Sequence, residues 1–106
     1  MSKNYHNQMI DSFLENPFLF SDDLGFIIKD VKKEFSMGNG DIDILVEGTM
    51  GEKAIIEVKS HSGLLPHFVK KQLPKYINYF PEAKVFALVG YQRSLNLLDF
   101  KLKKYK

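Results

Sequence analysis

The sequence predicts an α/β fold in which helices flank a mixed β-sheet of about four to five strands, in the order αβββαββ. Three observations lead to this prediction: two segments with apolar residues at helical spacing, one segment in which apolar and polar residues alternate, and one continuous apolar run. The chain has 106 residues, 44% of them apolar, which is material for one core. We therefore predict a single domain over residues 1–106 that ends in a basic tail at 101–106.

The N-terminal third predicts a helix followed by a strand. Apolar residues recur on one helical face over residues 5–15, and Pro17 ends this helix because proline disfavours helical geometry in the residue before it. Residues 24–35 are rich in Ile, Val and Phe and predict the first strand. The turn-forming residues 37–40 follow it.

A hairpin occupies the centre of the chain. Apolar and polar side chains alternate over residues 41–47, which predicts the second strand. A glycine-rich turn at 48–51 joins it to a third strand at 53–59. Because the turn is short, we expect these two strands to pair antiparallel.

The C-terminal half predicts a helix and two further strands. An apolar helical stripe covers residues 65–80, and Pro74 within it predicts either a kink or the true first turn. Pro81 ends the helix. The continuous apolar run at 84–90 is typical of a strand buried on both faces, and residues 95–102 predict a last strand at the sheet edge.

Composition and charge narrow the class of protein. The chain has no cysteine, which excludes disulfides, thiolate metal sites and cysteine nucleophiles. Its longest apolar run is far shorter than a membrane span and no apolar signal core follows the N-terminus, so we expect a cytoplasmic protein without a membrane partner.

The two halves of the chain differ in charge. Residues 1–52 carry four lysines and ten carboxylates, a balance of −6, whereas residues 53–106 carry eleven basic and three acidic residues, a balance of +8. The basic half suits a polyanion, although a solvated lysine-rich surface is the simpler explanation of the charge alone.

Charged side chains interrupt the second and third predicted strands. Alternate residues of a strand share a face, so Asp41 lies with Asp43, and Glu57 lies with Lys59. Antiparallel pairing then places Asp43 beside Glu57. Two interpretations remain open at this point. The carboxylates form a Mg²⁺ site in which Lys59 acts on bound water or phosphate, or the charges form a salt-bridged patch on a solvated sheet face.

The segments 40–45 (Gly-Asp-Ile-Asp-Ile-Leu) and 54–60 (Ala-Ile-Ile-Glu-Val-Lys-Ser) resemble the core of the PD-(D/E)xK nucleases. The resemblance implies a restriction-endonuclease-like core and metal-dependent hydrolysis of phosphodiester bonds. It also implies that Asp43 and Glu57 bind Mg²⁺ (or Mn²⁺) and that Lys59 acts in the chemistry. The proline of the family motif is replaced here by Gly-x-Ile-Asp, a common variant.

Two more segments resemble NucS-like endonuclease domains. The segment 13–17 (Phe-Leu-Glu-Asn-Pro) resembles the start of such domains, which implies that Glu15 lies near the metal, although Glu15 also fits an exposed residue near a helix end. The segment 72–76 (Gln-Leu-Pro-Lys-Tyr) resembles the Gln-x-x-x-Tyr element of RecB-like and NucS-like members. It implies that Gln72 joins the catalytic set and that Tyr76 contacts DNA.

The similarity covers about residues 9–90 and leaves out the substrate-recognition domain of NucS-type enzymes. Asp41 is expected either to support the metal ligands or only to help Gly40 form the turn, and Glu34 is an alternative extra acid that ranks below Glu15. We expect His61 and His67 to contact DNA or solvent, and we assign His6 to the N-terminal tail. The remaining residues expected to contact DNA are Ser60, Lys70, Lys71, Lys75, Lys103, Lys104 and Lys106.

The sequence thus predicts a metal-dependent DNA endonuclease that is structure-selective or weakly sequence-selective. Cutting two strands requires two sites, so we expect a homodimer joined through residues 95–102 or the Phe-Leu-Phe segment at 18–20. The alternatives are a catalytically silent module that binds nucleic acid or protein, and a nuclease subunit that needs a helicase or DNA-binding partner.

Overall fold

The computed structural model describes residues 4–38 and 40–106, so the turn predicted over 37–40 lies partly outside the described residues. A mixed five-stranded sheet has its strands in sequential order. Neighbouring strands are antiparallel except β3 and β4, which are parallel. The predicted α/β fold is confirmed. The strands are β1 (Ile28–Ser36), β2 (Asp41–Gly48), β3 (Lys53–Lys59), β4 (Lys84–Val89) and β5 (Lys101–Lys104).

Helices and helical turns fill the connections. None of the helices within the described ranges has the length and apolar character needed to cross a membrane. The α-helices are α1 (Tyr5–Glu15), α2 (Ser21–Leu24), α3 (Leu65–His67) and α4 (Leu73–Tyr79). A π-helical turn, Phe68–Gln72, joins α3 to α4, and 3₁₀ turns occur at Pro17–Phe20, Ser62–Leu64 and Leu97–Asp99.

The N-terminal helix α1 is bounded by a capping residue, Asn4, at its start and by Pro17 after its end. The Asn4 side chain accepts a hydrogen bond from the Asn7 backbone N–H at 2.8 Å, which satisfies one of the free donors at the helix start. The helix ends at Glu15, two residues before Pro17, as predicted. Its apolar stripe is buried against one face of the sheet.

The sheet separates two cores, one under α1 and one under the helical segment 65–79. Strands β3 and β4 are buried on both faces, which confirms the interpretation of the apolar run in β4. On the α1 side the core includes Ile44, Val46, Ile56, Val58, Phe86 and Leu88. On the other side it includes Ile42, Leu45, Ile55, Val85 and Ala87, covered by Phe68 and Tyr76.

The first strand is shorter than predicted. Residues 24–35 were expected to be extended, but Leu24 ends helix α2 and β1 begins at Ile28. Gly25 caps α2 with a φ of +80°, a backbone conformation that glycine adopts without strain. The Asp residues in the first turn of α2 also favour a helix start. This local capping outweighs the β propensity of the Ile and Phe residues that follow.

The C-terminal strand is displaced from the predicted position. Residues 95–102 were expected to form it, but the Asn96 side chain accepts a hydrogen bond from the Leu98 N–H at 3.0 Å and starts a 3₁₀ turn. Strand β5 is Lys101–Lys104 and lies at the sheet edge, as predicted for the last strand. Residues 101–104 therefore pair with β4 and do not form a free tail.

Pro74 lies in the first turn of α4, one of the two outcomes that the sequence allows. Proline has no N–H to donate to a carbonyl one turn earlier. The chain accommodates this with the π-helical turn Phe68–Gln72 immediately before α4. The helical segment 65–79 continues through this irregularity, and Gln72 is the last residue of the π-helical turn.

The Phe-Leu-Phe turn offers a matched pair of variants. Phe20 is 7% exposed and stacks on Phe13 with ring centroids 5.3 Å apart, whereas Phe18 is 65% exposed. Phe20→Ala should lower the free energy of unfolding by about 3 kcal/mol or more, because it leaves a cavity in the core. Phe18→Ala should change it by less than about 0.5 kcal/mol. Urea titration of both variants checks this, and equal losses would contradict the core assignment.

Candidate active site

Strands β2 and β3 part where the predicted carboxylates lie. Their pairing runs from Glu47 opposite Lys53 to Ile44 opposite Ile56 and goes no further. Beyond that point an Asp43 side-chain oxygen, Oδ2, accepts the Val58 backbone N–H at 2.8 Å. A carboxylate thus takes the place of a main-chain acceptor. Asp43 is fixed to the neighbouring strand at the position next to Glu57.

The alternation of β2 breaks at Asp43. Ile42 belongs to the core under the helical segment 65–79, whereas Ile44 belongs to the core under α1. On the paired strand β1, the facing residue Glu34 has a φ of +54°, an uncommon conformation for a residue other than glycine. The regular alternation that placed Asp41 with Asp43 therefore does not continue through this part of the strand.

Glu57 is a buried carboxylate, 4% exposed. Burial, followed by the charge of Asp43, raises the pKa of Glu57 to about 8. The Tyr76 hydroxyl donates a hydrogen bond to Glu57 Oε2 and lies 3.4 Å from the Asp41 carbonyl oxygen. Burial and the nearby Glu57 charge raise the pKa of Tyr76, so Tyr76 stays a donor.

Tyr76 is 2% exposed and leaves no surface for a DNA backbone. The structure therefore replaces the predicted DNA contact with a different role, which is to hold Glu57. The sequence signal was correct in pairing Tyr76 with Gln72 on one helical segment, but it did not show which side of that segment faces the core.

Lys59 lies between Glu57 and Gln72. Its Nζ atom is 3.6 Å from Glu57 Oε1 and donates a hydrogen bond to Gln72 Oε1 at 2.9 Å. The Lys59 side chain is 13% exposed. The hydrogen bond between Lys59 and Gln72 thus joins β3 to the π-helical turn. The structure brings together four of the predicted site residues: Asp43, Glu57, Lys59 and Gln72.

His6 is part of this site, although the sequence analysis assigned it to the tail. Its Nε2 donates to Asp43 Oδ2 at 3.1 Å. The hydrogen bond that Asp43 accepts raises the pKa of His6, against the effect of burial. Burial tends to raise the pKa of Asp43, but the hydrogen bonds with His6, Glu57 and the Val58 N–H outweigh it and lower that pKa. Asn4 is a residue type that favours a helix N-cap, and a helix that starts after Asn4 has His6 in its first turn. This sequence signal could have shown that His6 is helical.

Glu15 lies away from the carboxylates. It is the last residue of α1, nine residues after His6, which corresponds to about 13 Å along the helix axis. Its side chain is exposed and borders a groove shared with Leu95 and Leu97. Glu15 therefore does not lie beside the carboxylates that were expected to bind the metal with it, and His6 is the residue of α1 that contacts Asp43.

The predicted DNA-contact residues fall into several groups. Ser60 is half-buried and follows Lys59, while Lys70, Lys71 and Lys75 are exposed on the helical segment 65–79. Lys103 lies in the same cross-strand row as Glu57, through Ala87, so it shares the face of the site.

The last two lysines lie elsewhere. Lys104 pairs with Phe86, whose side chain belongs to the opposite core, so Lys104 faces the α1 side of the sheet. The Lys106 ammonium donates to the Pro81 carbonyl, at the end of β4 away from Lys59. These positions do not support a shared role for Lys104 and Lys106 beside the carboxylates.

The donor set fits a hard divalent cation. Within the described ranges no group of three or more His, Asp or Glu residues is placed to hold a metal. Mg²⁺ keeps several waters, however, and needs only one or two carboxylates with phosphate oxygens completing its shell. Asp43 and Glu57 provide two carboxylates. Burial and the charge of Asp43 raise the pKa of Glu57, and a cation bound between the two carboxylates would favour their charged forms.

Glu57→Gln should remove a pH dependence of stability from the metal-free protein. An unfolded glutamate titrates near 4.5, whereas the pKa of Glu57 is about 8. Between these values the unfolded chain releases a proton that the folded protein keeps, so the free energy of unfolding falls as pH rises from 4.5 to 8. Each pKa unit is worth about 1.4 kcal/mol, so the loss is at most several kcal/mol.

Urea titration of the metal-free protein at about pH 5 and about pH 8 checks this expectation. The exposed Glu82→Gln variant is the control and should keep the pH dependence of the parent protein. A Glu57→Gln variant whose stability falls as steeply with pH as that of the parent would contradict the assignment.

Comparison with known proteins places the chain in a family. No curated protein matches the sequence. The structure is similar to the crystal structure of a repair endonuclease from Pyrococcus abyssi, with a TM-score of 0.55 and 13% identity. The match covers 84% of this chain and 39% of that one, so the chain spans about two-fifths of that protein's length, and the likeness shows the fold alone. The family model described as the endonuclease NucS C-terminal domain matches residues 5–92, from α1 into the loop after β4, and the chain therefore belongs to the family of endonuclease NucS C-terminal domains.

Proposed function

We propose that this domain is a metal-dependent endodeoxyribonuclease of the PD-(D/E)xK type, which hydrolyses phosphodiester bonds of DNA with Mg²⁺ or Mn²⁺. One observation carries the proposal. Asp43, Glu57 and Lys59 converge where β2 and β3 part, with Lys59 Nζ 3.6 Å from Glu57 and Asp43 bound to the Val58 N–H. Membership of the NucS C-terminal family supports it.

Asp43 and Glu57 are the residues that would hold the ion. A bound divalent cation would polarise the scissile phosphate and lower the pKa of a water molecule. Asp43 is ionised and oriented for this role, because His6 and the Val58 N–H both donate to it. Glu57 must first lose the proton that its raised pKa retains.

Lys59 supplies a fixed positive charge. Its contacts with Glu57 and Gln72 restrict a side chain that otherwise has four rotatable bonds, so the ammonium is pre-organised. At this position it can orient an attacking water or offset charge that develops on the phosphate. Gln72 positions Lys59, and Tyr76 positions Glu57.

The surface around the site supports an electrostatic interaction with DNA. Lys70, Lys71 and Lys75 are exposed on the helical segment that carries Gln72, and Lys103 shares the face of Glu57. Contacts of this kind attach to phosphates and carry no sequence information. This supports a nuclease that selects DNA structure, or selects sequence only weakly.

A DNA-binding module without catalysis is the second candidate, since the exposed lysines alone would support it. A panel of single-stranded, duplex, flap, mismatch and four-way-junction DNA, assayed with Mg²⁺ and with Mn²⁺, separates the two. Cleavage that requires the ion supports the nuclease. Binding without cleavage of any substrate supports the module, or a subunit that cuts only with a helicase or DNA-binding partner.

The homodimer stays a prediction. Phe20 lies in the core, so only Phe18 and Leu19 of the predicted segment are exposed for contact. Strand β5 carries lysines along its free edge, and edge lysines oppose pairing with another strand. Sedimentation equilibrium of the parent and of Phe18→Asp would decide whether a dimer forms through this turn.

Asp43→Asn should weaken Mn²⁺ binding by at least about tenfold, because it removes the ionised ligand of the pair. Calorimetry measures the affinity. In the parent protein the affinity should also rise with pH up to about 8, as Glu57 loses its proton. Repeating the titration in buffers of different ionisation enthalpy should show proton release.

The matched control for this titration is Asp41→Asn, an exposed carboxylate two residues earlier on β2. It should bind Mn²⁺ as the parent does. If Asp43→Asn and Asp41→Asn bind the ion equally well, the metal assignment fails.

Lys59→Ala should reduce cleavage by about 100-fold or more while the melting temperature changes little, since Lys59 acts at the reacting phosphate and lies at the end of β3. Lys53→Ala, at the other end of the same strand, is the control and should keep full activity. Undiminished cleavage by Lys59→Ala would overturn the mechanism.

A further inference from the structure

A pocket of about 450 Å³ lies beside His6, the residue of α1 that contacts Asp43. It lies between the N-terminus of α1, the turn after β3 and the loop after β4. Residues that line it include Asn4, His6, Ser60, His61, Gln92 and Arg93. No carboxylate lines it, and His6 connects it to Asp43. We call it the Arg93 pocket.

Arg93 is the single arginine of the chain, whose other fourteen basic residues are lysines. In the described part of the chain its guanidinium has no hydrogen-bond or ion-pair partner. Arginine presents a planar fork of donors that matches two oxygens of one phosphate, and lysine does not. An exposed, unpaired fork that lines a pocket without carboxylates is suited to an anionic ligand.

The loop that carries Arg93 is held in a strained conformation. Gln92 and Arg93 have φ values of +48° and +59°, both in the left-handed region that residues with a side chain seldom adopt. Such strain persists only where the surroundings impose it, and it is found mostly at functional sites. Both residues are exposed, and their strained backbone makes this loop a candidate for ligand contact.

Hydrogen bonds anchor the loop at both ends. Before it, the Gly90 N–H donates to the Lys59 carbonyl at 2.9 Å, which ties the loop to the catalytic strand. After it, the Tyr5 hydroxyl donates to the Ser94 carbonyl at 2.7 Å, which ties the loop to α1. A Cβ atom at Gly90 would lie 2.6 Å from the Tyr5 hydroxyl, so this close approach requires glycine. These contacts anchor the loop that carries Arg93 to β3 and to α1, the helix that carries His6.

We infer that the Arg93 pocket binds a phosphate of the DNA strand that neighbours the scissile phosphate, with Arg93 as its principal ligand. Ser60 and His61 line the same pocket and supply further donors. This inference rests on the proposed nuclease function, because the position of the scissile phosphate is taken from Asp43 and Glu57. The inferred phosphate subsite is separate from the exposed lysines of the helical segment 65–79 and of β5.

The test is a phosphate-neutralisation scan with Arg93→Gln. A fluorescently labelled branched DNA carries one uncharged methylphosphonate at a time, and its binding is measured in metal-free buffer, where no cleavage occurs. The parent protein should lose affinity at one position beside the cleavage site. Arg93→Gln should bind unmodified DNA about tenfold more weakly, lose the effect at that position, and show a salt slope smaller by about one.

Two controls complete the scan. Lys29→Gln removes one positive charge from exposed β1, away from the pocket, and should leave the position-dependent effect intact. Arg93→Lys keeps the charge but not the fork, so it should restore the salt slope and only part of the affinity. An Arg93→Gln variant that matches Lys29→Gln in affinity and in every position of the scan would overturn the inference.

The outcome is separable from that of the proposed function. If the parent binds DNA and the scan identifies the Arg93 position, but no ion supports cleavage, the nuclease proposal fails while the phosphate subsite stands. If the parent cleaves DNA and Arg93→Gln cleaves and binds as the parent does, the nuclease stands and the subsite fails.

Discussion

The placement of a half-buried carboxylate, Asp43, beside a buried one, Glu57, is the constraint on which the site depends. Glu57 is 4% exposed and Asp43 lies beside it, although neighbouring buried carboxylates disfavour each other's charged form. The two carboxylates respond with opposite pKa shifts. Asp43 receives hydrogen bonds from His6 and the Val58 N–H, which lower its pKa, whereas the raised pKa of Glu57 keeps its proton near neutral pH. A divalent cation bound as proposed above would take the place of that proton.

Two layers of the fold meet this constraint from opposite sides of the sheet. From one side, α1 places His6 against Asp43. From the other, the helical segment 65–79 brings Tyr76 to Glu57 and Gln72 to Lys59. The parting of β2 and β3 makes this possible, because it releases Asp43 from the regular alternation and lets it face α1. The break in the ladder is thus the element that assembles groups from both layers into one site.

The strand-borne part of the site could be predicted from the sequence in part. Antiparallel pairing across a short turn places Asp43 near Glu57, and period-two alternation places Lys59 with Glu57, but the break in alternation at Asp43 was not predicted. The helical contributions were harder to predict. Glu15 and His6 lie on the same helix, and only the packing direction of α1 determines which end reaches the carboxylates. Tyr76 was correctly linked to Gln72, but the sequence pattern does not show that its hydroxyl is buried. The strand boundaries at Ile28 and Lys101 depended on local capping by Gly25 and Asn96, which outweighed β propensity.

The irregular helix explains how one segment serves both the core and the site. In a continuous α-helix Gln72 and Tyr76 are four residues apart and lie on one face. Here Tyr76 enters the core, and Gln72, at the end of the π-helical turn, meets the ammonium of Lys59. Pro74 cannot donate a backbone hydrogen bond, so its presence removes part of the cost of leaving the regular helix. A residue that weakens the helix as a structural element therefore favours the geometry that fixes Lys59, in keeping with the frequent occurrence of π-helical turns at functional sites.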